Sequence, residues 1–511
     1  METPFLLLCV TFSLSLSLAA SLMLLRRGSH GTAHGHKQMG LPPGPPAVLF
    51  LAKFLVLRLS IFDLAHLLAG LHGPVFSVRL LRHTMVFVAD RRVAHRALVQ
   101  GAAAFADRPL LGDPTRECFD RRNISGSPYG PYWRLVRRNL ASMVALSPSR
   151  AALFAPARRR VTDGIVFELL HQEQQPVMVR PLLRRAMFEL LMYMCFGAQL
   201  SKKALDEVEA LQREVLLGIT AFASFPTLTK RLFPRRWAAY VTTRRRQAEI
   251  FEPLIRAAAC HRAGGNDELA APPCYAESLL MIRVADEGDR PLTTDEAVSL
   301  CSEFLNGGTD TTTTLIEWIM AELVNHPGIQ AKLHEEVTKA KRDTNNHGDL
   351  QAMPYLKAVV LEGLRLHPPT SLVLPHAVRD DDNVGIGGYT VRKGTELNFL
   401  VAEMGRDPTT WTAAREFRPE RFLAGGEGCD VDITGSREIK MMPFGAGRRM
   451  CPGYSLGMLH AEYFVARLVR ELEWLPPAAE AAEVDMTEML DFTTLMKNPL
   501  QARVVARKQI V

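Results

Sequence analysis

The most informative segment of this chain reads Pro443-Phe444-Gly445-Ala446-Gly447-Arg448-Arg449-Met450-Cys451-Pro452-Gly453. It presents a single cysteine in a glycine-rich loop, with an arginine two positions before it. Gly445, Gly447 and Gly453 allow the backbone to approach closely, so that backbone N–H groups can point at the sulfur. We therefore interpret Cys451 as a metal ligand. The alternative is a buried structural thiol in a turn, which is the usual role of a lone cysteine.

The length and composition of the chain indicate a large folded protein. It has 511 residues, of which 47% are hydrophobic, so it can bury a large core. The eight cysteines form no C-x-x-C pair and no short regular spacing, which argues against a disulfide scaffold or a zinc ribbon. The net charge of +7 is spread over separate arginine clusters without a nucleic-acid-binding module, so we expect no nucleic-acid partner.

The N-terminal segment Phe5 to Leu25 is an almost uncharged run of apolar residues and serines. A helix of about 21 residues, at about 1.5 Å each, spans roughly the 30 Å of a hydrocarbon core. Basic residues follow the run at Arg26, Arg27 and Lys37, so the positive-inside tendency places the remainder of the chain in the cytosol. A cleaved secretory signal, favoured by the small residues Ala19-Ala20-Ser21, is the competing interpretation.

These features predict three regions along the chain. Residues 1–27 form an N-terminal membrane anchor, and residues 28–46 form a linker with a proline-rich hinge, Leu41-Pro42-Pro43-Gly44-Pro45-Pro46. Residues 47–511 form one large domain.

We expect most of the secondary structure of that domain to be α-helical. Apolar spacing predicts helices over Ala151 to Leu170, Leu182 to Cys195, Asp206 to Phe222, Glu296 to His326, Gln330 to Lys341 and Tyr355 to Leu366. Alternating runs predict short strands near Val75 to Arg82, Met85 to Ala89, Gly388 to Val391, Glu396 to Leu400 and Gln501 to Ala506. Surface loops are expected at Cys260 to Pro273 and Ala424 to Asp432.

A weak point lies in the middle of the longest predicted helix, at Gly307-Gly308-Thr309-Asp310-Thr311-Thr312. Each glycine in a helix interior costs roughly 1 kcal/mol relative to alanine. A local widening of the helix there would leave room for a small ligand and water. The alternative is a solvent-exposed, threonine-rich turn of helix.

Three further motifs pair charged or aromatic residues at short spacing. They are Glu362-Gly363-Leu364-Arg365, Phe417-Arg418-Pro419-Glu420-Arg421-Phe422 and Tyr132-Trp133-Arg134-Leu135-Val136-Arg137. With the cysteine loop and the glycine-threonine stretch, these motifs resemble those of the haem-thiolate monooxygenases, the cytochrome P-450 family. In chain order the family motifs are WxxxR, AGxDT, ExxR, PERF and FxxGxRxCxG, and the five segments occur here in that order. Gly307 stands where the family more usually has alanine.

The resemblance implies a fold that is mainly α with small β-sheets: the cytochrome P-450 fold, with one large domain enclosing a haem and an N-terminal transmembrane anchor. It implies haem b, bound non-covalently with the Cys451 thiolate as axial ligand, since no C-x-x-C-H attachment motif is present. A thiolate ligand favours cleavage of an O–O bond. The residues assigned to haem binding are Trp133, Arg137, His376, Phe444, Gly445, Arg449 and Gly453.

The same resemblance assigns Asp310 and Thr311 to a proton relay of the general-acid type. It also assigns Glu362, Arg365 and Arg421 to a buried charged network that sets the position of the cysteine loop. Substrate contacts are implied at Phe304, Leu305, Leu372, Val373, Leu374, Leu495 and Met496. Since these residues are apolar, a lipophilic substrate is indicated.

The implied reaction inserts one atom of dioxygen into that substrate, with electrons from NADPH. A separate membrane-bound flavoprotein reductase would deliver them, because the chain has no flavin or nicotinamide motif. We interpret the basic residues mostly as solvated helix faces; the alternative is that some of them dock an acidic electron donor by charge complementarity. The motifs look most like those of the microsomal enzymes of plants. This resemblance implies a single-pass protein of the endoplasmic reticulum membrane with a cytosolic catalytic domain, so membrane lipid is a further partner. It also implies a role in plant secondary metabolism.

Three other interpretations stay open. The first is a haem-thiolate isomerase or dehydratase, although such relatives tend to lose the acid and alcohol pair that this chain keeps at Asp310 and Thr311. The second is a non-enzymatic haem sensor or carrier. The third is an ordinary single-pass membrane protein that binds no haem.

Overall fold

The structure of the protein, a computed structural model, describes residues 40–46, 50, 61–80, 83–109, 122–144, 152–171, 175–223, 230–263, 272–339, 350–379, 383–478 and 483–507. The expected membrane anchor and most of the expected linker lie outside these residues. Among the helices that are described, none combines the length and the hydropathy that a membrane span requires.

Helices make up most of the described chain. They are α1 (Ile61–His72), α2 (Arg91–His95), α3 (Pro131–Val144), α4 (Ala155–His171), α5 (Val179–Phe196), α6 (Lys202–Ala223), α7 (Pro234–Ala263), α8 (Tyr275–Leu280), α9 (Thr294–Asn325), α10 (Pro327–Lys339), α11 (Pro354–Leu366), α12 (Val401–Gly405) and α13 (Tyr454–Glu471). The predicted helices are confirmed, with ends displaced by a few residues. The loop expected from Cys260 begins later, because α7 continues to Ala263.

Short strands form small sheets beside the helices. They are β1 (Val75–Leu80), β2 (His83–Val88), β3 (Val177–Met178), β4 (Arg283–Val284), β5 (Arg290–Pro291), β6 (His376–Ala377), β7 (Val384–Ile386), β8 (Tyr389–Val391), β9 (Glu396–Phe399), β10 (Leu472–Leu475), β11 (Glu488–Leu490), β12 (Thr494–Met496) and β13 (Gln501–Ala506). The largest described sheet has the order β1-β2-β9-β6, in which β2 and β9 run parallel and the other neighbours antiparallel. The five predicted strands are confirmed, whereas the two-residue strands β3, β4, β5 and β6 carry too little alternation to predict.

The longest helix, α9, is delimited by the signals read from the sequence. Thr293 is its N-cap and forms a capping box with Glu296, so two N-terminal N–H groups are satisfied. The helix ends at Asn325, ahead of the proline that starts α10. Most of its side chains are buried, and it packs most extensively against α5. This single element therefore runs through the core and places the Gly307 to Thr312 stretch inside the molecule.

The backbone of α9 stays α-helical through that stretch, so the expected widening of the helix is not observed. The two glycines have different surroundings. A Cβ atom at Gly308 would lie 2.7 Å from a methyl group of Leu191 on α5, whereas one at Gly307 would meet nothing within 4 Å. Gly308 thus permits close helix packing, and Gly307 opens a space beside the helix by lacking a side chain.

Candidate active site

The cysteine loop has a backbone that favours glycine at two positions. Gly445 and Gly447 both have φ of +69°, in the left-handed region. A Cβ atom on Gly447 would also lie 1.8 Å from the carbonyl oxygen of Leu98. Within the loop, the Cys451 N–H donates to the Phe444 carbonyl oxygen at 2.8 Å. The loop is therefore folded back on itself and pressed against the segment that carries Leu98.

The Cys451 side chain is partly exposed at the end of this loop. Burial in the surrounding protein raises the pKa of its thiol, while the backbone N–H of Gly453 and the guanidinium of Arg137 act in the opposite direction. Two groups thus favour the thiolate, and a bound cation would favour it further. This is the environment of a metal ligand rather than of an inert core thiol.

Arg449 is held rigidly beside the cysteine by backbone carbonyl groups. Its Nε donates to Ala106 O at 2.7 Å, Nη1 to Ile124 O at 3.1 Å and Nη2 to Ser127 O at 2.7 Å. The guanidinium also lies over the Trp133 ring, 4.5 Å from its centroid. The positive charge is therefore fixed in place before any ligand arrives.

Two more guanidinium groups lie next to it. Arg137, on α3, donates to the carbonyl oxygen of Met450. Arg108 donates to Ser125 O at 2.8 Å and to the carbonyl oxygens of Leu374 and Pro375 at 2.9 and 2.8 Å. The position of Arg108 in this site was not predicted from the sequence, because no motif surrounds this residue and some of its partners are backbone atoms far along the chain.

The indole nitrogen of Trp133 is already engaged. Its Nε1–H donates to Ile124 O at 3.1 Å, the carbonyl that also accepts Arg449. The structure thus brings Trp133, Arg137 and Arg449 together at one loop, as the sequence predicts. Trp133 acts there through a backbone carbonyl.

His376 is buried on β6, and its environment favours the neutral ring. Burial lowers the pKa of His376 to about 3, and the nearby Arg108 adds to this shift. Its Nδ1 lies 2.8 Å from Phe105 O, which can only accept, so Nδ1 carries the hydrogen and Nε2 is an acceptor in the neutral form. Donation from Nε2 to a carboxylate would require the imidazolium form, which such a carboxylate would itself favour.

On α9, Asp310 and Thr311 extend in different directions. The Asp310 carboxylate pairs with Arg184 of α5 and lies 3.9 Å from Arg213 of α6. Burial raises the pKa of Asp310, although both guanidinium groups act in the opposite direction. The Thr311 hydroxyl instead donates to Gly307 O at 2.7 Å, beside the space at Gly307. The two candidate relay residues are neighbours in sequence, but each has its own partner.

The Glu362, Arg365 and Arg421 side chains meet in the core. Glu362 and Arg365 are fully buried on α11, with Arg365 Nε 2.7 Å from Glu362 Oε2. Arg421 Nε lies 3.0 Å from the other oxygen, Glu362 Oε1. Glu427 pairs with Arg421, and the Trp411 ring lies 5.5 Å from the Arg365 guanidinium. These last two members of the network were missed from the sequence, because both belong to irregular segments.

Two predicted substrate contacts are buried. Leu305 and Met496 lie within the main hydrophobic cluster, and neither is exposed. Both occur in apolar runs, where sequence alone does not separate a core-facing residue from a cavity-facing one. Leu495 is also buried, and Phe304 packs with its ring centroid 5.1 Å from that of Tyr275.

The segment Leu372 to Leu374 is more accessible than those residues. Leu372 and Val373 are partly buried, and Leu374 is exposed. A Val373 methyl group lies 3.6 Å from where a Cβ of Gly445 would stand, so this residue contacts the cysteine loop. Of the predicted substrate positions, Val373 is the one that the structure brings to Cys451's loop.

A family model described as Cytochrome P450 matches residues 42–504. The chain belongs to the cytochrome P450 family. Cytochrome P450 89A9 of Arabidopsis thaliana is 40% identical over 492 residues, covering 92% of this chain and 94% of that protein. Flavonoid 3'-monooxygenase of the same plant is 30% identical over 503 residues, or 96% of each chain.

A solved structure shows the same fold. Zebra fish cytochrome P450 in a structure with progesterone superposes with a TM-score of 0.73 at 21% identity, covering 88% of this chain and 100% of that one. The mainly helical fold with small sheets is therefore confirmed. Membership of the family makes the protein an oxidoreductase that incorporates oxygen, with haem as cofactor and a cysteine thiolate as its axial ligand.

The residues present fit a haem of the cytochrome P450 type. Cys451 offers one partly exposed sulfur, with the Gly453 N–H and Arg137 near it. The guanidinium group of Arg137 lies near this sulfur, and those of Arg108 and Arg449 both lie near His376; these cations match the two carboxylates that haem carries. The chemistry of this donor set, one thiolate with several fixed cations, is what a non-covalently held haem requires.

The charged network on α11 generates a stability prediction. Glu362→Gln removes the carboxylate between two buried guanidinium groups, so we expect a loss of about 3 to 5 kcal/mol in the free energy of unfolding. Glu420→Gln is the matched control, because Glu420 pairs with Lys332 at 2.8 Å on the surface, where an ion pair is worth at most about 1 kcal/mol. Denaturant unfolding of both variants checks this, and equal losses would contradict it.

The loop glycines generate a second prediction. Gly447→Ala adds a collision with Leu98 O to a left-handed backbone, and we expect purified protein with little bound haem. Gly425→Ala is the control: its φ is +84°, but a Cβ there would meet nothing within 4 Å. That variant carries only the backbone strain of about 1 to 2 kcal/mol. The measurement is haem content per chain, and a similar deficit in both variants would refute the role of Leu98.

Proposed function

We propose that this protein is a haem-thiolate monooxygenase that inserts one atom of dioxygen into a lipophilic small molecule, the second atom leaving as water. Electrons come from NADPH through a separate flavoprotein reductase. The observation that carries the proposal is the Cys451 loop, with its partly exposed sulfur beside the Gly453 N–H and the Arg137 guanidinium. When bound, haem with a thiolate ligand supplies the chemistry of O–O bond cleavage.

The protein's own contribution begins with holding the cofactor. Arg108, Arg137 and Arg449 bind and orient its carboxylates, because their guanidinium groups are fixed by backbone carbonyls and lose little freedom on binding. His376 lies against Phe105 in the same region and joins this set in its protonated form. Glu362, Arg365 and Arg421 act at a distance, by fixing the framework that carries the loop.

Side chains of α9 supply protons for the reaction. The Thr311 hydroxyl stands beside the space at Gly307 and holds a proton at its Oγ1, which it now donates to Gly307 O. Asp310 collects protons on the side of Arg184 and Arg213. Because the two side chains have separate partners, transfer between them requires a water molecule or a rotation of the Asp310 carboxylate.

The substrate is proposed to be apolar where it meets the protein. Val373 contacts the cysteine loop, Leu372 and Leu374 flank Val373, and Phe304 lies one turn before the open position at Gly307.

The proposed organisation of the chain has three parts. Residues 1–27 anchor the protein in the endoplasmic reticulum membrane, and residues 28–46 link this anchor to the rest of the chain. Residues 47–511 form the cytosolic domain, which contacts membrane lipid and the reductase.

The proposed function is tested by reconstituting the protein with reductase and NADPH. Lipophilic metabolites are then screened for spectral shifts and oxygenated products.

The thiolate assignment has a direct spectroscopic test. We expect Cys451→Ser to abolish the thiolate-type spectrum of the reduced CO complex, because a hydroxyl is not deprotonated under these conditions. Cys429→Ser is the control, since Cys429 is an exposed cysteine away from the loop. A thiolate-type spectrum that persists in Cys451→Ser would overturn the proposed function.

The proton relay is tested at Thr311. We expect Thr311→Ala to keep haem but to lower product formation by about 100-fold, with reducing equivalents appearing as hydrogen peroxide. Thr311→Ser retains the hydroxyl and should restore most of the coupling. The measurement is product and peroxide formed per NADPH consumed. Normal coupling in the alanine variant would show that the hydroxyl is not part of the relay.

A further inference from the structure

One carboxylate of α9 has no role in the site so far. Glu303 lies one turn before Gly307 and is partly exposed, as Thr311 is, whereas Gly307 is exposed. Its two oxygens accept hydrogen bonds from consecutive backbone N–H groups, those of Ile124 at 2.7 Å and Ser125 at 2.6 Å. The long helix is thereby tied to the segment of chain that precedes α3.

The same segment holds the groups beside Cys451 through its carbonyl oxygens. Ile124 O accepts both Trp133 Nε1 and Arg449 Nη1, each at 3.1 Å. Ile124 therefore receives Glu303 on its N–H and two cofactor-binding side chains on its C=O. A shift of this one residue would move the acceptor of both.

The neighbouring residue extends the connection. Ser125 donates its N–H to Glu303 and accepts Arg108 Nε on its carbonyl oxygen at 2.8 Å. Each of these two residues thus lies between the Glu303 carboxylate, which accepts its N–H, and a guanidinium, which donates to its carbonyl oxygen. Hydrogen bonds to a charged acceptor are about twice as strong as neutral ones, so the carboxylate is an effective clamp.

We propose that Glu303 is a positioning residue for the haem site: by holding the Ile124 and Ser125 N–H groups, it fixes the carbonyl oxygens that orient Trp133, Arg449 and Arg108. This inference rests on the proposed role of the Cys451 loop in haem binding. Nothing in the local sequence reveals it, because Glu303 acts only through backbone atoms of a segment far away in the chain.

The test compares Glu303→Gln with a matched control in the full-length protein loaded with haem. The glutamine keeps the size of the side chain but replaces one of the two accepting oxygens with a donor NH₂ group, which would face an N–H group. Glu336→Gln makes the same change elsewhere, because Glu336 also accepts two consecutive N–H groups, those of Tyr355 at 2.9 Å and Leu356 at 2.8 Å. Glu303→Asp keeps the charge on a shorter side chain.

Two readouts distinguish positioning from a general loss of stability. The first is the rate of haem transfer to an excess of apomyoglobin, which we expect to rise about 10- to 100-fold in Glu303→Gln and to change little in Glu336→Gln. The second is hydrogen exchange of the residue 122–127 amides, which should quicken in Glu303→Gln alone. Glu303→Asp should fall between the wild type and Glu303→Gln in both.

Equal haem-transfer rates in Glu303→Gln and Glu336→Gln would overturn the inference, as would unchanged exchange at residues 122–127. The failure of the proposed function is a separate result. If Cys451→Ser keeps the thiolate-type spectrum, the proposed haem ligand is wrong. If that spectrum is lost while Glu303→Gln behaves like its control, only the role of Glu303 fails.

Discussion

A fully buried carboxylate between two guanidinium groups is the interaction on which the rest of this structure depends. Glu362 contacts Arg365 on its own helix and Arg421 from a distant segment, and it also accepts the backbone N–H of Arg418 at 2.7 Å. Arg365 continues outward to the carbonyl oxygens of Gly405 and Ala414, both at 2.7 Å. Such a group is costly to bury and costly to disrupt. It fixes the irregular chain between α12 and the cysteine loop, which has few regular elements of its own.

Within the site, backbone carbonyl oxygens accept the hydrogen bonds that fix the guanidinium groups in place. The cations that suit the cofactor's carboxylates donate to the carbonyl oxygens of Ala106, Ile124, Ser127 and Met450. This arrangement holds the positive charges in fixed positions, so little reorganisation is needed when an anionic ligand binds.

The sequence predicted what depends on local pattern or on a short motif. The extent of α9 followed from apolar spacing to within a few residues, and the cysteine loop followed from its glycines. Relationships through backbone atoms were not predictable, since any residue can supply a carbonyl or an N–H; Arg108 and Glu303 were missed for this reason.

The pairing of β2 with β9 joins parts of the chain that are made far apart in time. Residues 85–88 find their partners at 396–399, and Gly447 rests on the carbonyl of Leu98. Because closing such long intervals is slow and needs both ends present, the N-terminal sheet cannot be completed on the ribosome until most of the polypeptide has emerged. Capture of the cofactor is then a late event of biosynthesis, because the cysteine loop itself is among the last parts of the chain to be made.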